Sequence, residues 1–148
     1  MPDGGRVVIA FDVGKKRIGI AAGNTVTSTA TERSTVAVGQ QGPDWTAIDA
    51  AVRDIAPALA VIGLPYNVDG TPGRLAPLAA AFGAEFERRY GLPVEYVDER
   101  YSSAIATEEL SAARARGQMR RRVRREDIDR IAARIVLERW LNGAGRKS

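Results

Sequence analysis

Two short apolar runs separated by a glycine-containing turn constrain the fold of this chain most strongly. Residues 6–12 (RVVIAFD) and 17–22 (RIGIAA) are rich in Val, Ile and Ala, and Gly14-Lys15-Lys16 between them is typical of a turn. Strands joined by so short a connection run antiparallel. The sequence therefore predicts a β-hairpin, followed by a weaker third strand within residues 29–38.

The rest of the chain alternates helical patterns with apolar strands. Asp44 is placed to cap a helix that Pro57 ends. The continuous apolar segment LAVIGL is typical of a strand that is buried on both faces. The predicted elements are strands at 59–64 and 93–97, and helices at 45–55, from Thr71-Pro72 to Gly91, from Ser102-Ser103 to about 114, and from about 126 to 141.

This order of elements predicts an α/β fold. Three antiparallel strands are followed by right-handed parallel crossovers, which gives a mixed five-stranded sheet flanked by helices. The length of 148 residues suits one domain, with a core over about 6–141 and a flexible tail over 142–148.

The amino-acid composition excludes several kinds of chemistry. The chain has no cysteine and no histidine, so disulfides, thiolate or imidazole zinc sites, Ser-His-Asp catalysis and an imidazole base are all ruled out. A net charge of +4 and a pI near 9.8 indicate a polyanionic partner. No apolar run approaches the ~20 residues of a membrane span, and no secretory signal is visible. A cytoplasmic protein with no membrane partner is expected.

Acidic residues stand where the predicted elements end or begin. Asp12 ends the first strand, Asp98 and Glu99 follow the last strand, and Asp127 and Asp129 start the final helix. Carboxylates from distant parts of a chain can meet at the rim of a sheet and bind hard divalent cations. Each has an ordinary alternative, because aspartates cap turns and acids complement the helix dipole. Neighbours on a strand point to opposite faces, so only one of Asp98 and Glu99 is expected to face Asp12.

Four segments in order resemble the YqgF family of Holliday-junction-resolvase-like proteins. They are FDVGKKRIGIA (11–21), VIGLPYNVDGTPG (61–73), VDERYSS (97–103) and DRIAARIVLERWL (129–141), and the resemblance extends over residues 6–141. The family has the RNase H-like fold and is also described as a pre-16S rRNA nuclease. This chain departs from the family pattern at Tyr101 and Ser102-Ser103, and in an unusually arginine-rich segment over 114–125.

The resemblance implies a metal-dependent nuclease. Asp12, Glu99 and Asp129 are then the catalytic residues and the ligands of Mg²⁺ or Mn²⁺, with two ions expected, while Asp98 is structural and Asp127 caps the helix. The implied substrate is nucleic acid, either structured RNA at the 5′ end of pre-16S rRNA or branched DNA at a four-way junction. RNA is favoured because the family is associated with ribosome maturation.

Polar and basic residues near these acids are candidates for contacts with nucleic acid. The hairpin turn and the arginine-rich segment over 114–125 (the arginine run) supply cations. The loop after LAVIGL supplies backbone amides at a helix start. The candidates are Lys15, Arg17, Asn67, Arg74, Arg100, Arg120, Arg121 and Arg122. The alternative for each is a solvated charge or an ordinary capped loop. A monomer or weak dimer is expected.

Two other functions compete with the nuclease. An ATP-dependent phosphotransferase of the actin and sugar-kinase type shares the strand order and the Asp-x-Gly hairpin, but it needs a duplicated domain, and this chain contains no repeat. The second alternative is a non-catalytic RNA-binding module that has the same fold.

Overall fold

The structure is a computed structural model that describes residues 5–65, 73–98, 102–117 and 124–143. Within these ranges there are six strands and four helices. They are β1 (Val7–Val13), β2 (Arg17–Asn24), β3 (Thr29–Gly39), β4 (Gly42–Pro43), α1 (Trp45–Ile55), β5 (Leu59–Leu64), α2 (Ala76–Tyr90), β6 (Val94–Asp98), α3 (Ser102–Ala115) and α4 (Arg125–Leu141). No helix in the described part of the chain is both long and apolar enough to cross a bilayer.

The strands form one mixed sheet in the order β4-β3-β2-β1-β5-β6. The strands from β1 to β4 pair antiparallel in chain order, whereas β5 pairs parallel with both β1 and β6. This arrangement confirms the predicted α/β fold, with three antiparallel strands followed by parallel crossovers and with helices against the sheet.

The sheet has six strands rather than the predicted five, because a short strand lies where a loop was expected. Val38 pairs with Pro43, and Gly39 pairs with Gly42. Gly42 has a φ of +106°, a backbone conformation that residues with a side chain rarely adopt. This glycine lets the chain turn back on itself within two residues and add the two-residue strand β4.

Two helix ends agree with the sequence signals, and one differs from them. Asp44 Oδ1 accepts a hydrogen bond from Ala47 N at 3.1 Å and caps α1, and Gly91 ends α2 with a φ of 65°. The start of α2 was predicted too early. The helix begins at Ala76 with Pro77 in its first turn, the one place where a proline fits a helix without loss. Thr71 and Pro72 themselves lie outside the described residues, as does the tail from 144 onward.

The two faces of the sheet bury different helices. Ile9 and Phe11 of β1 pack with residues of α1 and α2, and Val8 and Ala10 pack with residues of α4. Because successive side chains on a strand point to opposite faces, Asp12 continues the row that faces α4. The final helix therefore lies on the same side of the sheet as the first candidate acid.

The backbone of α4 approaches β2 closely at Gly19. A Cβ atom added to Gly19 would lie 1.9 Å from the carbonyl oxygen of Asp129. The start of the helix is also held by β3, since Thr35 Oγ1 donates a hydrogen bond to the carbonyl oxygen of Glu126 at 2.9 Å. A glycine within a strand often marks such an approach of another backbone.

We predict that Gly19→Ala lowers the free energy of unfolding by about 1–3 kcal/mol, the usual cost of overpacking a well-filled site. The added methyl group would have to push the first turn of α4 off the sheet. Gly39→Ala is the matched control, because a Cβ there meets nothing within 4 Å. Urea denaturation of both variants measures the difference, and equal stabilities would contradict the proposed contact.

Candidate active site

Asp12 lies one residue before the end of β1 and is half-buried. It is paired directly with Gly19 of β2 in the antiparallel register. Side chains of directly paired residues point to the same face, with Cβ positions roughly 5 Å apart. The carboxylate of Asp12 therefore stands next to the place where α4 crosses Gly19.

Asp129 lies in α4 at that crossing. Its carbonyl group occupies the space above Gly19, and its side-chain Oδ2 accepts a hydrogen bond from Arg17 Nε at 2.6 Å. The side chains of Asp129 and Arg17 are 17% and 27% exposed. Gly19, which is paired with Asp12 and covered by Asp129, thus brings together two acids that are far apart in sequence.

Asp127 has a structural role, as the sequence predicted. Its side chain is 1% exposed. Its Oδ2 accepts a hydrogen bond from the backbone N of Arg124 at 2.9 Å, and its Oδ1 accepts one from Arg130 Nη2 at 2.6 Å. A buried carboxylate with both oxygens bonded holds the first turn of α4 in place.

Glu99, the third predicted acid, lies outside the described residues. The last described residue of β6 is Asp98, whose carbonyl oxygen accepts a hydrogen bond from Arg139 Nη1 at 2.9 Å. Two residues of β6 face α4: Val97 packs in the α4 core, and Glu95 accepts a hydrogen bond from Trp140 Nε1 at 2.9 Å. The choice of Glu99 over Asp98 stays a prediction.

The described acids suit part of a divalent-ion site. Within residues 5–65, 73–98, 102–117 and 124–143, no group of three or more Asp, Glu, His or Cys side chains is arranged to hold a metal ion. Gly19 brings Asp12 of β1 and the backbone of Asp129 close together on the α4 face, and carboxylate oxygens are the donors that Mg²⁺ and Mn²⁺ prefer. The chemistry of these donors fits such an ion, with the third donor predicted beyond β6.

Exposed cations lie at the edge of the sheet where β1 ends. Lys15 is exposed in the turn directly after β1. Arg74 is exposed in the turn before α2, and this turn is held at the end of β5 because Gly73 N donates to the carbonyl oxygen of Pro65 at 2.7 Å. Since β1 and β5 are parallel, their carboxyl ends share one edge of the sheet. Arg74 and Lys15 therefore lie at the edge where β1 ends near Asp12.

The other predicted contacts with nucleic acid cannot be placed. Asn67, Arg100, Arg120, Arg121 and Arg122 lie outside the described residues and remain predictions. The described arginines of the arginine-rich segment over 114–125 are all exposed. These are Arg114, Arg116, Arg124 and Arg125.

Sequence reasoning missed three features of this site. It did not assign a role to Gly19, although a lone glycine in a strand is a recognised sign of close approach. It did not pair Arg130 with Asp127, although their spacing of three places them on one side of a helix. It did not foresee the hydrogen bond from Arg17 Nε to Asp129, while the phosphate contact predicted for Arg17 stays a prediction.

Comparisons with known proteins give a matching family model and similar proteins. A family model described as "RuvX: Holliday junction resolvase" matches residues 6–143. Proteins named "Putative pre-16S rRNA nuclease" are similar over most of their length. The one from Xanthomonas campestris pv. campestris strain 8004 is 37% identical over 147 residues, covering 96% of this chain and 94% of that protein. The one from Xylella fastidiosa strain 9a5c is 40% identical over 140 residues, covering 95% and 88%.

Among solved structures, the fold is similar to RuvC of T. thermophilus in complex with a Holliday junction substrate. The TM-score is 0.53 at 15% sequence identity, and the match covers 94% of this chain and 98% of that one. An identity this low supports the likeness in fold alone.

We predict that the two aspartates of α4, Asp127 and Asp129, separate stability from activity. Asp127→Asn leaves an amide against donors in a buried site, so the free energy of unfolding should fall by about 1–3 kcal/mol. Asp129→Asn breaks a partly exposed ion pair and should cost no more than about 1 kcal/mol, yet it should remove cleavage. Urea denaturation and a nuclease assay measure the two effects. A stable but inactive Asp127→Asn together with an active Asp129→Asn would reverse the assignment.

Proposed function

This chain belongs to the RuvX family, and from that premise we propose that it is a metal-dependent nuclease that processes the 5′ end of pre-16S rRNA. The observation that supports the proposal is that Gly19, which pairs with Asp12, is covered by the backbone of Asp129 on the α4 face of an RNase H-like sheet. We infer that the two carboxylates share the end of β1, with Lys15 and Arg74 at the same edge of the sheet.

In this proposal Asp12, Asp129 and Glu99 hold Mg²⁺ or Mn²⁺, most simply as a pair of ions. Such ions, when bound, lower the pKa of water and offset negative charge on a phosphate. The choice of Glu99 comes from the family resemblance, and it is supported by the alternation that turns Glu95 and Val97 of β6 toward α4. A chain without histidine has no imidazole base, and this chemistry requires none.

The remaining side chains position the substrate and the acids. Lys15 and Arg74 attract the phosphate backbone to the rim of the sheet. Asp127 and Arg130, bonded to each other at 2.6 Å, fix the first turn of α4. This helical turn keeps the backbone of Asp129 against Gly19. Asp129 therefore stays next to the strand position of Asp12, which pairs with Gly19.

RNA is the favoured substrate because the similar proteins described above, at 37% and 40% identity, are named "Putative pre-16S rRNA nuclease". The Holliday junction complex supports only the fold, yet the family model is described as a Holliday junction resolvase, so branched DNA is the alternative. The phosphotransferase alternative gains no support from a family match that spans residues 6–143. We place the protein in the cytoplasm, where ribosomes mature, as a monomer or weak dimer.

We predict that the protein cleaves structured RNA only with Mg²⁺ or Mn²⁺. Asp12→Asn, Glu99→Gln and Asp129→Asn should each reduce cleavage by about 10²-fold or more, because each loses a carboxylate that supports charge stabilisation at the phosphate. Asp44→Asn is the matched control, because asparagine caps a helix as well as aspartate does and Asp44 caps α1. A single-turnover assay on a pre-16S 5′ segment and on a four-way DNA junction gives the rates.

Each result of that assay has a distinct meaning. Undiminished cleavage in excess EDTA would refute metal dependence. Cleavage of the junction but not of the RNA would move the substrate to DNA. Tight binding of RNA without cleavage of either substrate would favour the non-catalytic module.

The arginine run is predicted to act in binding rather than in chemistry. Replacing Arg120, Arg121 and Arg122 together with Gln should weaken RNA binding and flatten the log–log salt dependence by roughly one unit for each phosphate that the protein no longer neutralises. Cleavage at saturating substrate should change little. Titrations at several salt concentrations measure the slope.

The control replaces Arg53, Arg88 and Arg89 of α1 and α2, which removes the same charge elsewhere on the protein. Equal slopes for the two triple variants would make the arginine run an ordinary solvated loop.

A further inference from the structure

We propose that Arg17 couples metal binding to nucleic-acid binding. The guanidinium of Arg17 is paired with Asp129. An ion on Asp129 releases the guanidinium, which is then available to a phosphate of the substrate. This inference rests on the proposed function, because it requires Asp129 to be a metal ligand.

The pair is built by two rigid elements rather than by flexible surface chains. Arg17 opens β2, where its carbonyl oxygen accepts a hydrogen bond from Gly14 N at 2.9 Å and where it pairs with Ala37 of β3. Asp129 is fixed by the contact of its backbone with Gly19. The 2.6 Å bond from Nε to Oδ2 joins partly buried groups, so solvent and salt weaken it less than an ordinary surface pair.

A divalent ion and a guanidinium are rivals for one carboxylate. Both are positive, and two positive groups a few ångströms apart repel strongly where water is partly excluded. An ion that uses Asp129 must therefore weaken the bond to Arg17. The energy needed to break that bond lowers the affinity of the free protein for the ion.

A phosphate gives the released side chain a better acceptor. The planar guanidinium binds phosphate oxygens through two parallel hydrogen bonds, and its charge does not titrate. Nucleic acid that draws Arg17 away from Asp129 leaves the carboxylate open to the ion. By linkage, each ligand raises the affinity for the other by the same factor. Arg17 thus lets the site fill with metal mainly when substrate is present.

Lys15 provides a matched comparison within the same turn. It carries the same charge, is exposed and precedes Arg17 by two residues, so Lys15→Gln removes long-range repulsion of the ion as Arg17→Gln does. Any difference in affinity for the ion between the two variants therefore measures the effect of the ion pair rather than that of the net charge.

The first measurement is a calorimetric titration of the folded protein with Mn²⁺ in the absence of nucleic acid. Arg17→Gln should bind the ion more tightly than wild type by about tenfold, the scale expected for freeing a carboxylate from a charge-assisted hydrogen bond. Lys15→Gln should gain less than about threefold, as expected for an exposed charge that salt screens. Thermal unfolding without metal confirms that each variant is folded.

The second measurement is the affinity for a structured RNA oligonucleotide with and without Mg²⁺, with the RNA checked for intactness on a denaturing gel. In Arg17→Gln the enhancement of RNA binding by Mg²⁺ should fall by about the factor by which its affinity for the free ion rose. In Lys15→Gln the enhancement should stay near that of wild type. A purely structural role for Arg17 would leave the enhancement unchanged.

The control variants distinguish failure of the coupling role of Arg17 from failure of the proposed metal site. If Asp12→Asn weakens Mn²⁺ binding while Arg17→Gln behaves like Lys15→Gln in both measurements, the coupling role of Arg17 is wrong and the metal site stands. If Asp12→Asn and Asp129→Asn both bind Mn²⁺ as wild type does, the proposed metal site is wrong, and the coupling fails with it.

Discussion

The contact between the backbone of α4 and Gly19 sets the geometry on which the proposed site depends. The carbonyl oxygen of Asp129 lies 1.9 Å from the position that a Cβ atom on Gly19 would occupy. Gly19 is paired with Asp12 across the hairpin, so the helix is brought down beside the first acid. A residue without a side chain is thereby the structural reason that α4 can bring Asp129 to the strand position of Asp12.

The first turn of α4 divides stability and chemistry between neighbouring acids. Residues two positions apart on a helix point in quite different directions, so one acid can be buried while the other faces the rim of the sheet. Asp127 is buried against Arg130 and the Arg124 backbone, and a buried charge is tolerated because each oxygen is bonded. Asp129 is left partly exposed, at a position fixed by the turn that Asp127 stabilises.

The features predicted from sequence are those determined by local residues. The hairpin, the buried strand β5 and the Asp44 cap follow from short-range periodicity and turn chemistry, and the structure confirms them. The two-residue strand β4 was missed because its pairing depends on where β3 lies in the sheet. The bond between Arg17 and Asp129 was missed for the same reason, since nothing local relates the start of β2 to the final helix. Glu99 was chosen through the family resemblance and is still a prediction.

A site of this kind has to satisfy two opposed electrostatic requirements. Carboxylates that hold a divalent ion repel the phosphates of a nucleic acid, while the cations that attract phosphates repel the ion. This chain has a net charge of +4 and places its cations in turns beside the acids, as Lys15 and Arg74 are placed. A bound ion reverses the local sign of the charge, so metal and polyanion favour each other's binding. In the coupling proposed for Arg17, its pairing with Asp129 extends the same logic, because it would neutralise one acid until an ion replaces the guanidinium.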